Sequence, residues 1–284
     1  MTPCLAQPLR AQEPIDTAVN RRIRDEAMHH SAVLSTAIGL SDLSPPRLAG
    51  SPGYLAAARW ARDRLRHWNI SSARLEAWGR STPSWVLDRY ALEMVAPWYL
   101  NLTAFPRAWS PATPAPVTGP VIVVRIEADS DLARYAGKLR GKVVLNGRLE
   151  PVTRSSAPLT RFTDSELDSL SRLTEQGSPA NAAEDIEPWR EQLAWRRRMS
   201  AFLRREGALA LVEPSGVETA LRADGWFDYP GTPWTGVPSF IVSRDHFNRL
   251  LRLSAAGQPV RVSALLRAHT VRPDSVGYNL IAEI

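Results

Sequence analysis

Apolar positions between Asp16 and Leu40 recur at helical spacing. Val19, Ile23, Ala27, Leu34 and Ile38 fall on one stripe, with Gly39 near a stop, which predicts a helix over 16–40. Ser44-Pro45-Pro46 breaks it. Ser51 then offers an N-cap with Pro52 at the first helical position, predicting a second helix to about Trp68. Leu55, Ala58, Leu65 and Trp68 would face inward. Arg74 to Trp78 is short and bounded by polar turns, as a strand would be. From about Arg80 prolines and tryptophans become dense through Pro116, and helical periodicity disappears.

Apolar runs return at Val121–Val124 and Val143–Leu145. Their β-branched content predicts strands, and nearly continuous apolar strands need cover on both faces. Thr163-Asp164-Ser165-Glu166 is a capping-box pattern opening a helix through Leu167, Leu170 and Leu173. Gln176 to Asp185 is small and polar and reads as an exposed loop. Pro188 to Glu206 reads as a long helix stopped by Gly207, and Ala208 to Val212 as a strand. Asp224 to Gly236 is a loop rich in Gly, Pro and aromatics. Val237–Val242 reads as a strand, Ser243–Ala255 as a helix and Val260–Leu266 as a strand. Mixed strands and helices make this an α/β or α+β chain, with boundaries near residues 80 and 272.

Composition narrows the classes. Of the 284 residues, 44% are apolar, enough for a substantial core and against wholesale disorder. The single cysteine, Cys4, excludes an internal disulfide framework. The net charge of +6 and pI near 10 come almost wholly from arginine, since Lys138 and Lys142 are the only lysines. The 29 acids are interspersed and no nucleic-acid motif appears, so a nucleic-acid partner is not indicated. Arg196-Arg197-Arg198 with Arg204-Arg205 reads as a solvated helix face. No stretch is long and apolar enough to span a membrane. Residues 1–15 read as a disordered segment or a signal-peptide remnant, because Ala11-Gln12-Glu13 resembles the end of a secretory leader. That points to an exported protein, periplasmic or secreted. The residues before Cys4 do not make a lipobox.

Candidate chemistry is sparse. His29, His30, His67, His246 and His269 form no His-Glu-x-x-His and no zinc-finger spacing, and adjacent His29 and His30 point about 100° apart on a helix. Gly50-Ser51-Pro52-Gly53 lacks the spacing of a nucleophile elbow, so Ser51 reads as a cap. Gly137-Lys138-Leu139-Arg140-Gly141-Lys142 is too short for a phosphate loop, and Val143 stands where Ser or Thr would bind magnesium. Glu184-Asp185 lie in a polar stretch without the desolvation that tunes a catalytic carboxylate. Trp226, Phe227, Tyr229 and Trp234 form the one segment with binding character, a substrate or partner contact loop; the alternative is a local hydrophobic cluster.

Several of these segments occur in a known order. Arg47-Leu48-Ala49-Gly50-Ser51-Pro52 and its helix, then Ala73-Arg74-Leu75-Glu76-Ala77-Trp78, resemble the N-terminal region of co-catalytic zinc aminopeptidases. These form metallopeptidase family twenty-eight, relatives of glutamate carboxypeptidase and the transferrin receptor ectodomain. Trp109-Ser110-Pro111 with Thr113, then Tyr135 to Leu145, Val237-Pro238-Ser239 and Tyr278 to Ile284, continue the likeness in order. The resemblance implies an α/β fold with a protease-associated (apical) domain inserted into a zinc-exopeptidase domain. Residues 16–80 would be the first peptidase segment, 81–272 the insertion, and 273–284 the first strand of the resumed peptidase domain. Arg74–Trp78 and Tyr278–Ile284 would then pair in one sheet. The resemblance also implies a peptide-hydrolysing aminopeptidase with two zinc ions and a glutamate base. That family's His-x-Asp motif follows the last strand seen here, so no catalytic or metal-binding residue can be carried over to this chain. The chain alone is therefore expected to be inactive, to bind no zinc tightly, and to be poorly soluble or self-associate because its terminal strand lacks cover. The alternative is a non-catalytic protease-associated module that contacts protein partners.

Overall fold

The protein is described by a computed structural model covering residues 16–44, 46–80, 84–151, 161–173, 182–216, 225, 236–271 and 276–284. Helix α1 (Thr17–His29) opens at Asp16, whose carboxylate accepts the Ala18 and Val19 N–H groups at 2.9 and 3.0 Å. It ends at His30, and α2 (Val33–Ser41) starts anew with the Val33 N–H on the Ser31 hydroxyl at 3.4 Å. The single helix predicted over 16–40 is thus two, because Ser31 offers the backbone a local partner in place of the helical ladder. Among the described residues the predicted stripe faces no core: Ile23 is 60% exposed and Leu34 is 72% exposed. Gly39 sits inside α2, where a Cβ would lie 2.1 Å from the Trp60 ring. The missing side chain lets α2 pack directly on α3 (Pro52–His67).

Helix α3 begins as the sequence predicts. Ser51 caps it by accepting the Tyr54 N–H at 3.1 Å, and Pro52 opens the first turn. Its inward side is Ala57 with half-buried Leu55, Ala58 and Leu65. Trp68, predicted to face inward, is exposed beyond the last turn.

Next come β1 (Arg74–Arg80), β2 (Ser84–Ala96), β3 (Leu100–Asn101), β4 (Ala104–Pro106), β5 (Val117–Val124), α4 (Asp129–Tyr135) and β6 (Val143–Asn146). Then follow α5 (Asp164–Leu173), α6 (Ala182–Arg205), β7 (Ala210–Pro214), β8 (Ser239–Val242), α7 (Arg244–Ala255), β9 (Arg261–Val271) and β10 (Val276–Ile281). The capping box at α5 forms: the Thr163 N–H donates to Glu166 at 2.7 Å, and the Glu166 N–H donates back to the Thr163 hydroxyl at 3.4 Å. Helix α6 begins at Ala182, so 182–185 are helical where a loop was predicted, and Pro188 sits within it.

The strands make two sheets. Eight strands run in the order β3-β2-β9-β5-β6-β7-β8-β4, parallel from β5 through β8 and antiparallel elsewhere. Side chains alternate between the faces of this sheet. Val143, Leu145, Ala210 and Val212 join Phe240, Phe247, Leu250 and the β2–β9 ribbon in one core. Val144 and Leu211 join Met199, Phe202 and Leu203 of α6 in the other. Helices therefore cover both faces of the parallel strands, as predicted for Val143–Leu145; the strand read over 208–212 is covered likewise but starts at Ala210, with Leu209 half-buried before it. Val121–Val124 is only partly buried, with Val123 at 41% exposure. The cause is topological: β9 accompanies β5 only as far as the Pro120–Arg261 pair, and the outer half of β5 has β6 alone beside it.

The second sheet joins distant parts of the chain. Strand β1 pairs antiparallel with β10, setting Arg74 opposite Ile281, Glu76 opposite Asn279 and Ala77 opposite Tyr278. The pairing runs past the strand end, where the Ser72 hydroxyl donates to the Glu283 carbonyl at 2.7 Å and accepts the Glu283 N–H at 2.9 Å. Helix α3 packs on both strands, and the Tyr54 hydroxyl donates to the Tyr278 carbonyl. The expected partnership of 74–78 with the 278–284 segment is present.

Candidate functional site

Parallel α/β sheets place functional groups just beyond the carboxyl ends of their strands. In this protein four distant segments meet there. Asn146 ends β6, Glu213 is the penultimate residue of β7, Arg107 follows antiparallel β4 beside the first residue of β8 and sends its side chain in, and Arg196 reaches in from α6. The Glu213 carboxylate accepts Arg107 Nε at 3.2 Å and another Arg107 guanidinium nitrogen at 3.0 Å. It accepts one Arg196 guanidinium nitrogen at 3.3 and 3.2 Å, and the Asn146 side-chain amide at 3.3 Å. The Asn146 oxygen accepts the Ile126 N–H at 2.9 Å, and the Arg107 N–H donates to the Ser239 carbonyl at 2.8 Å. Glu213, Arg107 and Asn146 are buried and Arg196 is half-buried. Such a network suits a fastener of segments better than a proton-transfer group, because both carboxylate oxygens are already engaged.

Arg196 was expected on a solvated face and instead turns inward to Glu213. Arg198 pairs with Asp129 at 2.6 Å, while Arg204 and Arg205 are exposed. That pair holds the Asp129 carboxyl below its ordinary range, first through the hydrogen bond from Arg198.

The contact loop residues Trp226, Phe227, Tyr229 and Trp234 lie outside the described residues, as do Cys4 and residues 1–15. Gly225, just before those aromatics, makes a parallel bridge with Ala108. A Cβ on Gly225 would fall 2.7 Å from the Ala108 carbonyl oxygen, so only glycine allows this approach. Gly225 is thereby moored beside Ala108, the residue after Arg107.

The histidines do not converge. His29 and His30 pair with Asp25 and Glu26 along α1, their rings at 70° to each other. His269 on β9 meets Asp88 on β2 at 2.8 Å, both well exposed. His246 accepts the Thr103 N–H on Nδ1 at 2.8 Å. Partial burial, and then the nearby Arg249 charge, hold its pKa below the usual imidazole value against the opposing pull of Asp245. This is consistent with the neutral ring that such acceptance needs. Among the described residues no three His, Cys, Asp or Glu side chains come together as a metal would require. The donor set described therefore does not fit a zinc pair. Also among the described residues, no helix is long and apolar enough to cross a membrane.

Two sequence candidates resolve as structural turns. Ser51 spends its oxygen on the Tyr54 N–H and its proton on the Pro46 carbonyl at 3.2 Å. In the 137–142 turn the Gly137 N–H donates to Glu206 at 2.5 Å, and Lys138 Nζ donates to the Arg134 carbonyl at 2.8 Å. Neither group is aimed at a phosphate.

Comparison with solved structures places this fold. A peptidase M28 precursor from Shewanella amazonensis superposes with a TM-score of 0.56 over 93% of this chain, at 18% sequence identity. Over the matched part of that precursor the two share a fold. An aminopeptidase from Aneurinibacillus sp. strain AM-1 aligns over 88% of the chain at 16% identity, with a TM-score of 0.46. The chain spans about half the length of each, 53% and 47% respectively. No protein-family model matches the chain, and no curated protein does.

Proposed function

We propose that this chain forms part of an exported zinc aminopeptidase-like hydrolase acting on peptides. Residues 16–80 and 273–284 contribute to its peptidase domain, and residues 81–272 form a protease-associated-like insertion. The observation that carries this reading is the β1–β10 pairing, which closes residues 74–80 onto 276–281 around an intervening eight-stranded sheet. An insertion between two segments of one sheet needs that closure. The fold shared with the peptidase precursor supports it. Zinc ions would polarise a peptide carbonyl and activate water, but the described residues offer no ligand set for them. In this reading the metal chemistry is supplied by chain that these residues do not include.

The test has two arms. The gene read beyond the codon for Ile284 should encode a His-x-Asp segment, and protein made from the longer frame should cleave aminoacyl chromogenic substrates. A chelator should abolish that turnover and zinc should restore it. The 284-residue chain should cleave nothing and retain far less than one zinc per chain after dialysis. Chelator-sensitive turnover by the short chain, or an inactive longer product without that segment, would overturn the proposal.

A further inference from the structure

A groove of about 550 Å³ opens on the α7 face of the large sheet, where β9 leaves β5. Its floor is Val121 and Val123, two residues apart on β5 and therefore on one face. Leu251 of α7 lines one side and Leu149, which is 56% exposed, lines the other. Arg148 and Arg252 are lining residues and are exposed, and among the described residues no carboxylate lines the groove. Glu127, whose carboxyl Arg148 influences through space, is already paired with Arg125 at 2.9 Å. Beyond the Val121 N–H, which donates to the Val260 carbonyl at 3.0 Å, β5 has no strand beside it on the β9 side among the described residues.

We infer that this groove binds an extended peptide segment that alternates apolar and acidic side chains. Three features select that occupant. The unpaired side of β5 offers the backbone groups that an added strand uses. The valine floor takes alternate apolar side chains, since residues of a strand point to opposite faces. Two arginines without a carboxylate among the lining residues favour an acidic guest and disfavour a second copy of this chain, whose own net charge is +6. The volume suits a few residues, within the usual range of ligand clefts. The groove's lining shares no residue with the Glu213 network, and the inference does not depend on the peptidase reading.

The probe is a fluorescent, end-blocked pentapeptide of sequence Val-Glu-Val-Asp-Leu, set against its Val-Lys-Val-Lys-Leu counterpart in anisotropy titrations of the full chain. The acidic peptide should bind roughly tenfold or more tightly than the basic one, a difference of about 1.4 kcal/mol. The Arg148→Glu, Arg252→Glu double variant should reverse that preference. Both arginines are exposed, so its melting temperature should match that of the parent. Equal affinity for the two peptides, no binding, or a preference unchanged by the double variant would overturn the assignment. So would equal binding of an oligothymidylate, which would mark a general anion surface, or dimerisation abolished by the double variant, which would give the groove to a second copy.

Discussion

Replacing Glu213 with alanine is expected to destabilise the protein by about 3–5 kcal/mol, the cost of leaving buried charge without its partner. The carboxylate receives both the buried Arg107 guanidinium and the half-buried Arg196 guanidinium. Its removal leaves two like charges facing each other where water reaches poorly, and takes a partner from the Asn146 amide. Glu213→Gln should cost less, because it keeps the shape and an acceptor while losing the charge. Urea unfolding midpoints of the three proteins measure the effect. A Glu213→Ala unfolding free energy within about 1 kcal/mol of the parent, the size of an exposed ion pair, would show that the network does not fasten these segments.

Phe247→Ala should cost a similar amount, about 3–5 kcal/mol, for a different reason. Phe247 is fully buried on α7 and belongs to the core that includes Val143, Val212 and Phe240. Truncation removes apolar surface from that core and leaves a cavity that a close-packed sheet cannot collapse to fill. Phe247→Leu should recover much of the loss by refilling volume. Denaturant titration checks both, and a near-neutral Phe247→Ala would mean that α7 does not seal this face of the sheet.

Local signals proved legible wherever structure is decided locally. Ser51-Pro52 starts α3, Thr163 with Glu166 caps α5, and the apolar runs at 143–145 and 239–242 are central strands. What escaped was decided at long range. Strand β2, thirteen residues long, is interrupted by Asp88, Arg89 and Glu93, so its apolar residues fall in short stretches; it is a strand because β9 pairs along nearly its whole length. The α1–α2 stripe is helical in period, yet the described chain does not bury it: period predicts a helix but cannot say what will cover it. The Glu213 network draws on residues 107, 146, 196 and 213, and no spacing along the chain announces that meeting. The groove beside Val123 was equally hidden, because a buried run and a half-exposed one look alike in sequence until the neighbouring strand departs.

The closure of β1 on β10 carries the functional account, and a designed cross-link tests it most directly. Glu76 and Asn279 sit opposite each other in the register, and both are exposed. With Cys4→Ser removing the native thiol, Glu76→Cys and Asn279→Cys should form a disulfide under mild oxidation, since directly opposed strand residues lie within disulfide reach. Proteolysis and mass spectrometry should then recover the peptides containing positions 76 and 279 as one linked species that separates on reduction. Free thiols at both positions in the folded, oxidised protein would contradict the split-sheet topology, and with it the peptidase reading built on that closure.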